Sequence, residues 1–223
     1  MTPLPVLALL SWATITGLDL ASVLQGLFNR PLLAGGVTGV MLGDPETGLR
    51  VGAALELFAL DVLPIGASRY GDYGAATVAA VVLGAGQWWQ VALGECVLLG
   101  LVLAYGGGWS MVLLRRLTMQ VVRRAAPALD RGEPGVAVRV HLFGLAADVV
   151  RSAILAGVGL AAALALRSAP PLDLGTGRAL ALVTVAGGFL ALIGGALRRA
   201  GSLRRMAWLA AGVGLGALGL ALR

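Results

Sequence analysis

Two carboxylates and two carboxamides sit within apolar or glycine-rich sequence in the first third of the chain. Glu56 lies in Ala-Ala-Leu-Glu-Leu-Phe-Ala-Leu, Asp72 follows a glycine-containing polar stretch, and Gln25 and Asn29 close an apolar N-terminal segment. A carboxylate oxygen accepts from more than one hydroxyl, and hydrogen bonds to an ionised acceptor are about twice as strong as neutral ones. Carboxamides add donors and acceptors to the same surface. Such a set supplies hydrogen-bond acceptors and donors, which within apolar sequence need a polar cavity or a partner. Gln25 and Asn29 are four residues apart and share one face of a helix, which can point toward the Glu56 region; the alternative is a helix end dipping into an interface.

Other chemistry has little to work with. One His (His141) and one Cys (Cys96), far apart, make no metal-ligand spacing, so no metal or cofactor is expected. Cys96 lies in an apolar run and reads as inert packing. The chain has no phosphate-cradling glycine loop, and His141 has no visible relay, so phosphoryl transfer is not expected here and the protein is not expected to be an enzyme.

The elements that position Glu56 are unusual in length. Residues 32–42 and 51–63 are apolar runs of eleven and thirteen residues; at about 1.5 Å per helical residue neither spans the roughly 30 Å of a hydrocarbon core. They are expected to be re-entrant or broken helices, which survive at membrane depth only where buried in protein or lining a polar cavity. An ionised Glu56 in such a run costs about 2.5 to 3.5 kcal/mol by insertion scales, so it should face a cavity or a partner. The bland alternative is an interfacial glutamate in a shorter run.

The 223 residues are 58% hydrophobic and only 13% charged, with a mean hydropathy of +0.89. This predicts an all-α polytopic membrane protein, with broken or re-entrant hairpins in its N-terminal half, forming a single integral-membrane domain over 1–223. All seventeen basic residues are Arg. Ten of them cluster at 115–139 and at 198–205, between apolar blocks, as cytoplasmic loops do. Alternation then places 167–178 outside. A nucleic-acid patch would want a soluble domain with interleaved aromatics, and is excluded. The apolar N-terminus lacks a basic leader and is expected to be retained.

Along the rest of the chain, Gly43 to Gly48 reads as a turn, with the next helix opening after Gly48. Pro31 suits the first turn of a helix entering at Arg30. Residues 75–105 are expected to break near Gly84 and Gly86, and Glu95 in the second piece needs a cavity or partner. Residues 109–131 form a basic amphipathic segment, in-plane or extended into the cytoplasm, or a docking surface for an acidic subunit. Gly132 and Pro134 close it as a loop. Asp148 and Arg151 are three apart and can pair; His141 is an interfacial or capping residue unless it borders a transport path. Apolar helices at 179–197 and 206–222 end the chain.

Residues 25–80 also carry a dense resemblance. Arg30-Pro31-Leu32, Ala34-Gly35, Leu42-Gly43-Asp44, Thr47-Gly48-Leu49, Gly52-Ala53, Leu55-Glu56-Leu57, Pro64-Ile65-Gly66-Ala67 and Asp72, in that order and spacing, resemble the membrane subunit IIC of the mannose/fructose/sorbose family of sugar phosphotransferase systems (PTS). The resemblance thins afterwards to Arg116, residues 123–130, His141 and Arg151. It implies a multi-pass protein of the bacterial inner membrane that forms a sugar pathway with a IID partner in an oligomeric assembly, while IIA and IIB components carry the phosphoryl group. For such a pathway the chemistry of the side chains selects Glu56 first as the expected substrate-binding residue, then Asp72, then Gln25 and Asn29. Gly71 stands where the family usually has a Pro, Asp61 where it has a small residue, and Arg69 adds a permanent charge. Those departures leave open a non-transporting scaffold or regulatory homologue, or an ion-coupled secondary transporter using Glu56 and Glu95.

Overall fold

A computed structural model describes residues 3–23, 27–60, 70–87, 89–170 and 172–200, with isolated positions beyond. Gln25, Asp61, Arg69 and most of the last expected helix lie outside the described residues. Up to residue 200 the described residues form seven helices: α1 (Pro3–Asp19), α2 (Pro31–Leu42), α3 (Pro45–Ala59), α4 (Tyr73–Gly84), α5 (Trp89–Asp130), α6 (Val136–Arg167) and α7 (Leu174–Ala200). The all-helical membrane fold is as expected. Among the described residues three helices are long and apolar enough to cross a membrane, over Ala92–Asp130, Val136–Arg167 and Leu174–Gly195, whereas α2 and α4 are apolar but only 12 residues each.

Local chemistry explains the short helices. Arg30 is extended before Pro31, whose fixed φ suits the first helical turn. α2 stops at Gly43, which takes φ 74°; the Gly43 N–H donates to Val40 O at 3.1 Å and the Asp44 N–H to Gly39 O at 2.8 Å, a Schellman closure. Asp44 then caps α3 by accepting the Thr47 N–H at 3.1 Å. The turn is therefore only Gly43–Asp44, and Pro45 to Gly48 are the first turn of α3 rather than loop, because a capping Asp followed by Pro starts a helix at once. Asp44 also accepts the Gly86 N–H at 2.9 Å, tying this turn to the α4–α5 connection. That bond, with the Thr47 cap, holds the Asp44 carboxyl below its ordinary 3.8 despite some desolvation.

α2 and α3 lie backbone to backbone. A methyl group on Gly48 would come within 2.4 Å of Gly35 O and 2.7 Å of Gly39 Cα, and one on Gly52 within 2.6 Å of Pro31 O. Two glycines four apart on each helix thus make one flat contact, the small-residue packing common in membranes. α4 is the centre of the molecule: each of its residues is buried, and it packs against α1, α2, α3, α5 and α6. Arg167, the last residue of α6, donates from Nη1 to Val82 O at 2.6 Å and so satisfies a carbonyl at the α4 C-terminus.

The expected break near Gly84 and Gly86 is present between α4 and α5. The basic amphipathic segment is not a separate element. Residues 109–130 continue α5, whose 42 residues reach about 63 Å. α6 returns from Val136 after a short turn at Gly132 and Gly135, both at positive φ. α7 begins at Leu174, earlier than expected, because Asp173 caps it by accepting the Thr176 N–H at 3.0 Å.

Candidate functional site

Glu56 stands in the last turn of α3, beside the start of α2. Its Oε2 accepts the Leu32 N–H at 3.1 Å, and its Oε1 pairs with the Arg30 guanidinium. The carboxylate therefore occupies the N-terminus of α2, where free N–H groups and the helix dipole both favour negative charge. Its side chain is 15% exposed and that of Arg30 36%, so the pair lies at the border of the protein interior. Glu56 has a partner, as its apolar setting required, and that partner is the residue just before Pro31.

Asn29 is the neighbour of Arg30 in the chain and looks the other way. Its N–H donates to Asp19 Oδ2 at 2.9 Å and its Nδ2 to Thr16 O at 3.2 Å, which fastens it to the end of α1. It rests on Gly74, where a methyl group would meet Asn29 Cα and Nδ2 at 3.0 Å. The segment 29–31 thus lies between the Glu56 end of α3 and the first turn of α4, two residues beyond Asp72. Asn29 and Glu56 thus flank Arg30 at the start of α2, while Asp72 stands at the start of α4, two residues before the Gly74 that Asn29 touches.

Asp72 is fully buried just before α4. Its Oδ2 accepts from Arg151 Nη1 at 3.0 Å, and its Oδ1 has no hydrogen-bond partner among the described residues. Arg151 Nε donates to Asp148 Oδ1 at 2.7 Å, so the expected pairing within α6 is present. The remaining guanidinium N–H groups reach Ser110 Oγ, Ser152 Oγ and Gly17 O at 3.2, 3.1 and 3.4 Å. All five donors of one Arg are used, and they bind α1, α4, α5 and α6 together. Ser22 completes the network by donating to Asp148 Oδ2.

Two of these contacts are not foreseen from the sequence, Arg30 with Glu56 and Arg151 with Asp72. A signal existed for the second: Asp148 alone leaves Asp72 as an acid without a base in an interior that tolerates none. His141 is exposed and, with Ser22 and Asp148, lines an approximately 820 Å³ groove between the lower halves of α5 and α6. No cluster of three or more metal-ligating side chains occurs among the described residues.

The chain is similar in sequence and shape to known transport proteins. It is 28% identical over 203 residues to the PTS mannose-specific EIIC component of Escherichia coli K12, covering 88% of this chain and 73% of that one. It is 34% identical over 126 residues to the fructose permease IIC component of Bacillus subtilis, covering 56% and 45%. A solved structure titled "Structure of membrane protein" superposes with a TM-score of 0.66 at 25% identity, covering 100% of this chain and 94% of that chain. A cryo-electron-microscopy structure of the mannose transporter ManYZ with microcin E492 shares the fold, with a TM-score of 0.57 at 24% identity over 100% and 94%. Residues 4–214 match the family model EII-Sor, described as PTS system sorbose-specific IIC component, and with nearly the whole chain matched, the protein belongs to that family of PTS IIC membrane components.

Proposed function

We propose that this protein is the translocation subunit of a multi-pass, inner-membrane PTS sugar permease, that it forms the sugar pathway with a IID partner, and that IIA and IIB components phosphorylate the sugar. The similarity to mannose-, fructose- and sorbose-specific components supports a hexose as cargo. The observation that carries the reading is Glu56, a carboxylate fixed at the N-terminus of the 12-residue helix α2, with Asn29 beside its Arg30 partner. Sugar hydroxyls exchange into the hydrogen bonds that Glu56 now accepts from Arg30 and Leu32, with Gln25 and Asn29 adding donors and acceptors.

Asp72 contributes to the same site from beneath. With its carboxylate held by Arg151, it meets the sugar only in a conformation in which the first turn of α4 has moved relative to α6. The α2–α3 hairpin and the start of α4 form the moving module, and α5, α6 and α7 the scaffold, an alternating-access arrangement. Glu56→Gln in the assembled membrane complex is expected to abolish uptake of radiolabelled mannose, fructose or sorbose while leaving membrane insertion intact. Unchanged uptake removes Glu56 from the site.

A further inference from the structure

Glu95 belongs to none of the contacts described so far. It lies one turn inside the candidate membrane span of α5, which begins at Ala92, and makes no hydrogen bond or ion pair among the described residues. An ionisable side chain at such a depth ordinarily faces a cavity or a partner. Glu95 lines an approximately 860 Å³ cleft bounded by α5, α6 and α7, together with Gln87 and Arg167.

Two separate contacts bring opposite charges to this cleft. The end of α4 is level with Cys96, next to Glu95, since a methyl group on Gly84 would meet Cys96 Sγ at 2.7 Å. Arg167 reaches the same end of α4 through Val82 O, using one of its five N–H groups. Yet Glu95 and Arg167 are not ion-paired with each other among the described residues. Gln87 spends its Nε2 on Leu83 O at 2.9 Å and keeps its amide oxygen as an acceptor. The remaining walls are aliphatic: Leu98, Val102 and Leu166 are exposed along the cleft, and Leu180 approaches where Gly94 lets α7 close on α5.

We propose that this cleft binds an aminophospholipid, with the phosphodiester at Arg167, the primary ammonium at Glu95 and Gln87, and an acyl chain along Leu98, Val102 and Leu166. A separated carboxylate and guanidinium fit a ligand that itself carries both charges. Guanidinium is the better phosphate donor of the two basic side chains, and a primary ammonium has N–H groups for Glu95 and Gln87 that a quaternary ammonium lacks. The apolar walls select a lipid over a soluble zwitterion, because a free headgroup leaves them uncovered. The inference needs only that the chain is membrane-embedded, and stands apart from the sugar site.

The test is lipid retention by the purified full chain, measured by native mass spectrometry with phosphatidylethanolamine, phosphatidylcholine and phosphatidylglycerol offered in equal amounts. Phosphatidylethanolamine is expected to be retained over both others. Glu95→Gln, which removes no contact within the fold, is expected to weaken phosphatidylethanolamine by about tenfold or more, the loss of one charge-assisted hydrogen bond, and to leave phosphatidylglycerol unchanged or tighter. Arg167→Lys, which keeps a cation beneath α4, is expected to weaken every phospholipid. Equal retention of phosphatidylethanolamine and phosphatidylcholine, or a Glu95→Gln variant indistinguishable from the parent, overturns the proposal. Binding of glycerophosphoethanolamine as tight as that of the whole lipid overturns the lipid assignment in favour of a soluble zwitterion.

Discussion

Arg151 Nη1 lies 3.0 Å from Asp72 Oδ2 across 79 positions of sequence, and both side chains are almost wholly excluded from solvent. This contact fastens the start of the central helix α4 to α6. The same guanidinium neutralises Asp148, so one cation serves two buried acids.

Removing that cation should be costly. Arg151→Met leaves two carboxylates buried without a base, which costs about 3 to 5 kcal/mol. A large fall in melting temperature is expected for the protein in detergent, read by tryptophan fluorescence. Asp72→Asn combined with Arg151→Met should lose less than the two single variants summed, since each removes the other's stranded charge. A variant Arg151→Met that melts with the parent would show that the network holds nothing together.

The glycine contact between α2 and α3 gives a paired prediction. Gly48→Ala places a methyl group 2.4 Å from a backbone oxygen of Gly35, an atom that cannot rotate away, and should destabilise by about 1 to 3 kcal/mol or more. Gly157→Ala on α6 meets nothing within 4 Å and should stabilise by about 0.5 to 1 kcal/mol through helix propensity alone. Thermal melts of the two variants should move in opposite directions.

Asp44 makes stability depend on acid pH. Its folded-state pKa is lowered below 3.8, first by the Gly86 N–H and then by the Thr47 cap. The stabilisation is therefore complete above the unfolded value and is lost as pH falls through the lower folded value. Asp44→Ala should cost about 1 kcal/mol at neutral pH, the usual worth of an N-cap. Melting curves of parent and variant should converge as the pH falls through the folded value; a gap that does not narrow in acid would mean that the ionised carboxylate is not the stabilising form.

Membrane orientation is open to chemical labelling, because the single native cysteine, Cys96, is buried. Glu133→Cys, at the α5–α6 turn, is expected to react with a membrane-impermeant maleimide only after the cytoplasmic face is opened. Ala169→Cys, in the α6–α7 loop, is expected to react in intact cells. The reverse pattern would invert the proposed topology.

Much of this architecture could be read from the chain alone, because its signals act within a turn or two of backbone. Pro31, Gly43, Asp44, Pro45 and the pair Gly84 and Gly86 start and stop short helices by restricting φ or by capping free N–H and C=O groups. The apolar excess placed those helices in a membrane, and the isolation of Glu56 required a partner for it. Which partner was a tertiary matter: Arg30 reaches Glu56 only because glycines let α2 and α3 touch, and Arg151 reaches Asp72 only because α6 packs along α4. The continuity of α5 through residues 105–109 was likewise invisible in sequence, since a helix leaving a packed interior for a protruding hairpin changes its neighbours without changing its backbone hydrogen bonds. Local sequence sets where helices begin and end; the pairing of charges far apart in the chain depends on which helices pack together, and only the folded molecule decides that.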